Sequence, residues 1–554
     1  MNNKNLKLII LGGLDGIGKN MMAFEYNGSI IIVDVGMMFP DSEMFGIDKV
    51  IPDFTYIREN KEKVKAVILT HGHEDHVGAL YNLFKEITVP IYGTKLTLAL
   101  AESKLRKNMY SEDLLNVVKP AQKVIIDEFE VEFMRVSHSI PDGVALSIKT
   151  PVGTIIHSGD FKVDHTPIDG KVMDLNRFAQ LGDEGVLALL SDSTNADTEG
   201  FGLSERVVGE TFDRIFRKAS HKRIVIVTFA SNVHRIQQAI NTARKHHRKV
   251  AVIGRSMEEV TLKAHENGYL HYQDDTLISL HQLQSIPPER TLIITTGSQG
   301  ESMSVIARMS REDYKGISIN ENDCVVLSGT PIPGNEKGVN KVINNIFRRG
   351  AQVIYEQDFE VHVSGHACQE ELRLLINLVR PKFFIPIHGE YRHLVAHAEL
   401  ADSVGIPRNN IFVLENGDVL AFSDNEGKVV DHVPGEAVLI DGLAEDEPYN
   451  IVQADRKLLS RDGILITSFA LRKDTSQLLS EVKLHTRGFI YMKEAPELRA
   501  DIIQKIEEII ADYNSAEPEY EKKSLKKTLM KDLSEYVYTQ TKRRPLIVPS
   551  ILEI

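Results

Sequence analysis

Between Thr70 and His76 the chain places three histidines and an aspartate within six residues: His71, His73, Asp75 and His76. Imidazole suits zinc, iron or manganese, and a carboxylate either hardens such a site toward manganese or bridges two ions. The spacing has a physical sense. The motif follows an apolar, β-branched run, Ala66–Leu69, so a loop leaving a strand aims His71 and His73 the same way as alternate residues. The next turn then carries Asp75 and His76 to a second point a few ångströms off.

Four more candidates stand at the ends of apolar runs. Phe133–Val136 leads to His138, Thr154–Ile156 to Asp160, Phe383–Ile387 to His388, and Ile30–Val33 to Asp34. Singly, each reads as an ordinary loop anchor. Jointly, His71, His73, Asp75, His76, His138, Asp160 and His388 make seven ligands, enough for two metals. Asp34 is expected behind them, orienting a ligating histidine.

The elements that must hold these residues come in three textures. The first 200 residues are rich in short strands ending at Gly, Asp or His. From about Ser204 to Glu356, strands alternate with amphipathic helices: strand Arg223–Thr228, helix Val233–Lys245, strand Lys249–Ile253, helix Met257–Gly268, strand Arg290–Thr295, helix Ser302–Arg311, then strands Cys324–Leu327 and Gln352–Tyr355. This alternation predicts a parallel sheet with helices on both faces. The strands end in small polar turns around Ser231-Asn232, Arg255, Ser298-Gln299 and Ser328, at the edge where such sheets bind ligands. Residues 357–440 return to the first texture. Glu445-Asp446-Glu447-Pro448 reads as linker, and the segment from Leu458 as a small α+β domain with a charged helix pair between Pro496 and Lys531.

Composition narrows the class. With 554 residues, 42% hydrophobic and 26% charged, the chain has ample material for several domain cores. Its net charge of −13 argues against nucleic-acid binding through global charge and leaves room only for a local basic channel. No apolar stretch approaches the ~18 residues of a membrane span, and Leu8–Leu11 is too short for a secretory signal. Two cysteines, Cys324 and Cys368, exclude a disulfide scaffold and fit a reduced, cytoplasmic setting.

His71-x-His73-x-Asp75-His76, then His138 and Asp160, resembles the metallo-β-lactamase superfamily of binuclear hydrolases. Ser364-Gly365-His366 and Ile387-His388-Gly389-Glu390, after a long insertion, resemble its β-CASP nuclease branch. Leu11-Gly12-Gly13, Ile17-Gly18-Lys19-Asn20, Phe229-Ala230-Ser231-Asn232, Gly297-Ser298-Gln299-Gly300-Glu301 and Lys542-Arg543-Arg544-Pro545 resemble the bacterial ribonuclease J family more specifically. The resemblance implies an α/β fold: a metallo-β-lactamase αββα sandwich from residues 1–203 and 359–440, an inserted β-CASP α/β domain at 204–358, a linker at 441–457 and a C-terminal α+β oligomerisation domain at 458–554. By the family pattern His71, His73 and His138 hold one ion, Asp75, His76 and His388 the other, and Asp160 bridges. The ions are zinc, with manganese or magnesium as alternatives. Some paralogues in this family have a damaged first metal motif and act as partner subunits; here every ligand position is filled.

What the resemblance implies about activity is hydrolysis of RNA phosphodiesters, both 5′→3′ from a 5′-monophosphate end and internally, in RNA maturation and mRNA decay. His366 is the candidate proton donor, with Asp75 and Glu390 as its catalytic company. Ser231, Asn232, Arg255, Ser298 and Gln299 are candidates for a 5′-phosphate nest, and His362, Ser364 and His366 for further phosphate contacts. Expected partners are single-stranded RNA, a second copy of the chain as homodimer or homotetramer, and a paralogous subunit within an RNA-degradation complex, with no membrane. Three rivals stand beside this reading: a small-molecule hydrolase, against which the roofing insertion and Ser364–His366 speak; a DNA nuclease, against which His388 speaks by family pattern; and a non-enzymatic scaffold, against which the full ligand set speaks.

Overall fold

The computed structural model describes residues 5–41, 44–105, 110–299, 301, 303–314, 316–331, 335–355, 360–423, 426–441, 449–473, 475–491, 494–515 and 525–554. The predicted linker residues Glu445–Pro448, Gly300 and the expected domain boundary at 358–359 lie outside them. The chain forms two compact units, Met1–Asp41 with Asp48–Ile440, and Ser42–Ile47 with Asp441–Ile554.

In the first unit two sheets face each other. An eight-stranded sheet runs in the order Glu426–His432, Asp418–Ser423, Leu6–Gly12, Met21–Tyr26, Ser29–Val33, Val64–Ile68, Ile91–Gly93, Leu115–Val117. A six-stranded sheet runs Phe383–Ile387, Ala188–Asp192, Gly153–His157, Val144–Thr150, Phe129–Arg135, Lys123–Ile126. Alternate residues explain the layering, because a strand sends successive side chains to opposite faces. Leu8, Ile10, Phe24 and Ile31 meet Phe133, Leu146, Leu190 and Ile385 in the core between the sheets. Ile9, Ala23 and Ile32 point the other way, onto Ile57, Leu80 and Leu83 of flanking helices. Behind the second sheet, Ala145, Leu189 and Phe384 meet Phe178, Leu372, Leu375 and Leu400. The result is helix, sheet, sheet, helix.

Helix Gln369–Val379 shows why these covers form. Leu372, Leu375, Ile376 and Val379 recur at helical spacing and face the sheet, while Glu371 closes a capping box with Cys368.

The insertion is a five-stranded, wholly parallel sheet in the order Lys249–Ile253, Thr291–Thr295, Arg223–Val227, Asp323–Leu327, Gln352–Ile354. Ile224, Ile226 and Leu292 pack on Phe212, Ile236 and Ala239 on one face. Val225, Val227 and Ile293 pack on Ile306, Met309 and Ile346 on the other. Two helices differ from expectation. The one expected at Met257–Gly268 spans Arg255–Glu266, so Arg255 is its first residue and not part of the turn. The one expected at Ser302–Arg311 is shorter, Val305–Ser310, starting after Ser304.

The second unit pairs strand Ile464–Leu471 in parallel with Leu546–Glu553 and antiparallel with Lys483–Arg487. Helices Pro496–Ser515 and Leu525–Thr541 close its core through Ile502, Ile506, Leu529 and Leu533. Residues 449–457, expected within the linker, are instead the first turns of helix Tyr449–Arg461. The acidic, proline-ended run before it hides that start. No helix among the described residues is long and apolar enough to cross a membrane.

Candidate metal centre

Six strands of the two facing sheets deliver their ends to one place. Asp34 follows Ser29–Val33, the Thr70–His76 loop follows Val64–Ile68, His138 follows Phe129–Arg135, Asp160 follows Gly153–His157, Asp192 ends Ala188–Asp192 and His388 follows Phe383–Ile387. Asp34 and His388 hold left-handed backbone, at φ 59° and 55°. That turns each chain sharply as it leaves its sheet.

The seven expected ligands separate into two groups that share Asp160. Nδ1 of His73 lies 3.0 Å from Nε2 of His71 and 3.1 Å from Nε2 of His138. Two nitrogens bound to one tetrahedral zinc would stand about 3.3 Å apart. In the other group, Oδ2 of Asp75 lies 3.2 Å from Nε2 of His388 and 3.6 Å from Nε2 of His76. Between them Oδ2 of Asp160 is 3.2 Å from His76, 3.6 Å from His71 and 3.8 Å from both His138 and His388. This oxygen is buried and makes no hydrogen bond. A buried carboxylate oxygen without a donor is costly unless a cation meets it. The donor set, His71, His73, His138 and Asp160 on one side and Asp75, His76, His388 and Asp160 on the other, is therefore suited to divalent metal ions.

The far nitrogens of the ligating rings are engaged as metal-site histidines require. Nδ1 of His76 is 2.8 Å from Asp34, whose carboxylate also accepts from the Thr70 N–H and hydroxyl. Nδ1 of His138 donates to the Gly365 carbonyl at 2.7 Å. Nδ1 of His388 meets the Thr194 hydroxyl at 2.6 Å. Two glycines let backbone come this close: a Cβ on Gly36 would lie 1.6 Å from the Asp75 carbonyl oxygen, and one on Gly365 would lie 2.8 Å from the His138 ring.

The charges sort accordingly. Burial and the neighbouring imidazoles hold His71 and His138 well below the usual histidine range, and burial brings His73 down to about 4. Burial alone would lift Asp160, but His388, His76 and His71 hold it ionised. His76 and His388 are pushed up, against burial, chiefly by Asp160. Ions entering this centre would displace those protons.

His366 lies beside the centre, its ring centroid 4.9 Å from His138 and 5.4 Å from His388. Nδ1 of His366 is 2.7 Å from Oδ2 of Asp192. The ring is 19% exposed and the carboxylate 1%, so substrate has access to the imidazole and not to its partner. Against burial, Asp192 raises the proton affinity of His366. The other oxygen of Asp192 accepts from the Thr194 N–H and hydroxyl.

Local sequence pattern alone does not single out Asp192. Its only sequence signal is a strand end in Ser191-Asp192-Ser193-Thr194, the same signal that singled out Asp34 and Asp160. Glu390, expected to tune His366, stands at the N-cap of helix Tyr391–Ser403, and its carboxylate accepts from Arg392 at 2.8 Å. Its backbone N–H donates to Nδ1 of His393 at 3.1 Å. His362 is also diverted, since its Nδ1 accepts from Arg235 at 2.8 Å. Ser364 accepts from Asn195 at 2.8 Å and shapes the loop carrying His366.

The phosphate-nest candidates lie at the carboxyl ends of adjacent parallel strands, on one edge of the inserted sheet. Ser298 is buried against Gly329, where a Cβ would stand 3.0 Å from its own. The Asn232 side chain caps helix Val233–Lys245, and the Gln299 amide donates to the Thr330 carbonyl at 2.9 Å. Arg255 is exposed at the first turn of its helix.

Comparison with known proteins follows the same divisions. The metallo-beta-lactamase superfamily matches residues 14–190, the ribonuclease J beta-CASP domain 221–346, the Zn-dependent metallo-hydrolase RNA specificity domain 357–414 and the ribonuclease J C-terminal domain 451–554. Over all of this chain and 99% of theirs, Ribonuclease J2 of Bacillus subtilis is 42% identical and Ribonuclease J 1 of Streptococcus pyogenes 40%. Ribonuclease J of Synechocystis is 42% identical over 92% of this chain and 79% of its own. A solved Enterococcus faecalis protein of unknown function shares the fold, with a TM-score of 0.53 and 15% identity over 75% of this chain and 100% of its own.

Proposed function

Because the chain belongs to the ribonuclease J family, we propose that it is a metal-dependent ribonuclease that removes nucleotides from 5′-monophosphate RNA in the 5′→3′ direction and also cuts internally. The observation that carries this reading is the Asp160 oxygen, ringed by imidazoles and bonded to none, with the His366–Asp192 pair beside it. Two divalent ions, zinc with manganese or magnesium as alternatives, would be held by the two ligand groups; when bound they activate water and stabilise charge developing on phosphorus.

The chain's own residues do the rest. Asp192 keeps His366 protonated, and the imidazole passes that proton to the 3′-oxygen as the ester bond breaks. Asp34, Thr194 and the Gly365 carbonyl hold His76, His388 and His138 in the rotamers the ligand set needs. The polar turns at Ser231, Asn232, Ser298 and Gln299, with Arg255, bind the terminal phosphate through N–H and hydroxyl donors. A pocket sized for one phosphate admits a monophosphate and rejects a triphosphate, whose extra charge would be buried without donors. The C-terminal domain joins copies of the chain into a dimer or tetramer, with a paralogous subunit and a cytoplasmic RNA-degradation complex as further partners in RNA maturation and mRNA decay.

The test is metal-loaded protein on 5′-monophosphate, 5′-triphosphate and 5′-hydroxyl RNA, with products sized and bound metal counted. Mononucleotides released from the monophosphate substrate and internal fragments from the triphosphate are expected. Active protein without metal, or equal exonuclease rates on all three ends, refutes the reading.

A further inference from the structure

Arg235 is wholly buried at the first turn of helix Val233–Lys245, in the inserted domain. Each of its five guanidinium donors has an acceptor. Nε and Nη2 bind the two oxygens of Glu205, each at 2.8 Å. Nη1 reaches the Ser328 carbonyl at 2.9 Å and Nδ1 of His362 at 2.8 Å, and Nη2 also reaches the Val363 carbonyl at 3.2 Å.

These acceptors are not a random sample of the fold. Glu205 stands where the chain enters the insertion, and residues 361–363 are where it leaves. Ser328 follows strand Asp323–Leu327, and its hydroxyl donates to the Val361 carbonyl at 2.5 Å. One guanidinium therefore pins both crossings between the two domains. Three residues beyond Val363 is His366. Three residues before Arg235 is Asn232, whose side-chain oxygen accepts the Arg235 backbone N–H at 3.1 Å.

We infer that Arg235 is a positioning residue that fixes the span between the 5′-phosphate pocket and the metal centre, and so sets how many nucleotides each cut removes. This rests on the exonuclease reading above. Arg235 touches no substrate; it acts through Asn232 at one end and the Val363–His366 segment at the other. A planar fork binding two carboxylate oxygens and two carbonyls at once holds a fixed separation. A lysine in its place keeps the charge for Glu205 and loses the fork.

The experiment compares wild type, Arg235→Lys, and the neutral pair Arg235→Met with Glu205→Leu, which leaves no buried charge unpaired if the lysine variant does not fold. Near-ultraviolet circular dichroism and bound-metal analysis confirm a folded, loaded centre in each. Hydrolysis of bis(p-nitrophenyl) phosphate, which needs neither the pocket nor a proton on its leaving group, should stay within about threefold of wild type. On 5′-monophosphate RNA the preference over 5′-hydroxyl RNA should fall roughly tenfold or more, and di- and trinucleotides should join the mononucleotide product, because an ångström of misplacement costs that much in rate. A general loss of stability would lower both substrates together and leave product length alone. A folded, metal-loaded variant that keeps the monophosphate preference and yields mononucleotides only overturns the inference. If wild type itself shows no preference between the two ends, the pocket reading has failed first, and the inference falls with it.

Discussion

Replacing Asp192 by Asn tests the proton donor most directly. The 2.7 Å contact puts the centres of the His366 ring and the carboxylate roughly 4 Å apart, where unit charges attract by about 4 kcal/mol at an effective dielectric of about 20. Losing that attraction weakens proton binding by the ring, which Asp192 otherwise strengthens against burial. The Asn amide, still held by Thr194, would offer an N–H to Nδ1 and leave a neutral ring. A loss of roughly 10²–10³ in RNA hydrolysis is expected, within the usual reach of one general acid. The pH profile gives the sign. Asp192 raises the proton affinity of His366, so the wild-type rate falls only at higher pH, as the imidazole loses its proton; in the variant that fall moves to lower pH. The same variant, with its metals counted, should hydrolyse bis(p-nitrophenyl) phosphate almost normally, since nitrophenolate leaves without a proton. Equal losses on the two substrates, with metal content intact, would refute the assignment and make Asp192 a structural support of the metal centre.

His76→Ala should bind fewer than two ions per chain by elemental analysis and lose several orders of magnitude in activity while its circular dichroism is kept, because it removes both a ligand and the contact to Asp34. Gly36→Ala should likewise lower metal occupancy, because a methyl group 1.6 Å from the Asp75 carbonyl must push that loop aside. A Ser298→Ala, Arg255→Ala double variant should lose exonuclease rate on 5′-monophosphate RNA and keep internal cleavage; equal slowing of both modes counts against the pocket. Burial drives His397 down from 6.5 to about 3. The unfolded chain therefore takes up a proton there from pH 6.5 downward while the folded one does not, and stability falls by about 1.4 kcal/mol per pH unit across that window. His397→Gln should flatten the acid limb of urea-unfolding stability by that slope, whatever its effect at neutral pH.

That these seven residues come together was legible in the sequence because candidate metal ligands at strand ends leave local marks. His71, His73, Asp75 and His76 occupy one loop, and His138, Asp160 and His388 each close an apolar run. The parallel insertion was legible from alternation, down to helix Val233–Lys245 and strand Lys249–Ile253, whereas the sandwich followed only from the family resemblance. What stayed hidden are pairings across long stretches of chain. Asp192 and His366 stand 174 residues apart and Arg235 and His362 stand 127 apart, and no local pattern shows which distant residue each one meets. Glu390 stands two residues after His388 in the chain, yet its carboxylate pairs with Arg392 at the start of the following helix.

Strands Ala188–Asp192 and Phe383–Ile387 are parallel neighbours, with Asp192 opposite Ile387. Helix Gln369–Val379 lies between them in the chain and supplies the crossover that parallel neighbours need. The whole insertion is thus spliced into one β-to-α loop of a sheet that closes without it. Asp192 borders the splice on one side and His366 on the other. Removing residues 204–360 and rejoining the ends would leave intact every strand whose end brings His71, His73, Asp75, His76, His138, Asp160 and His388 together.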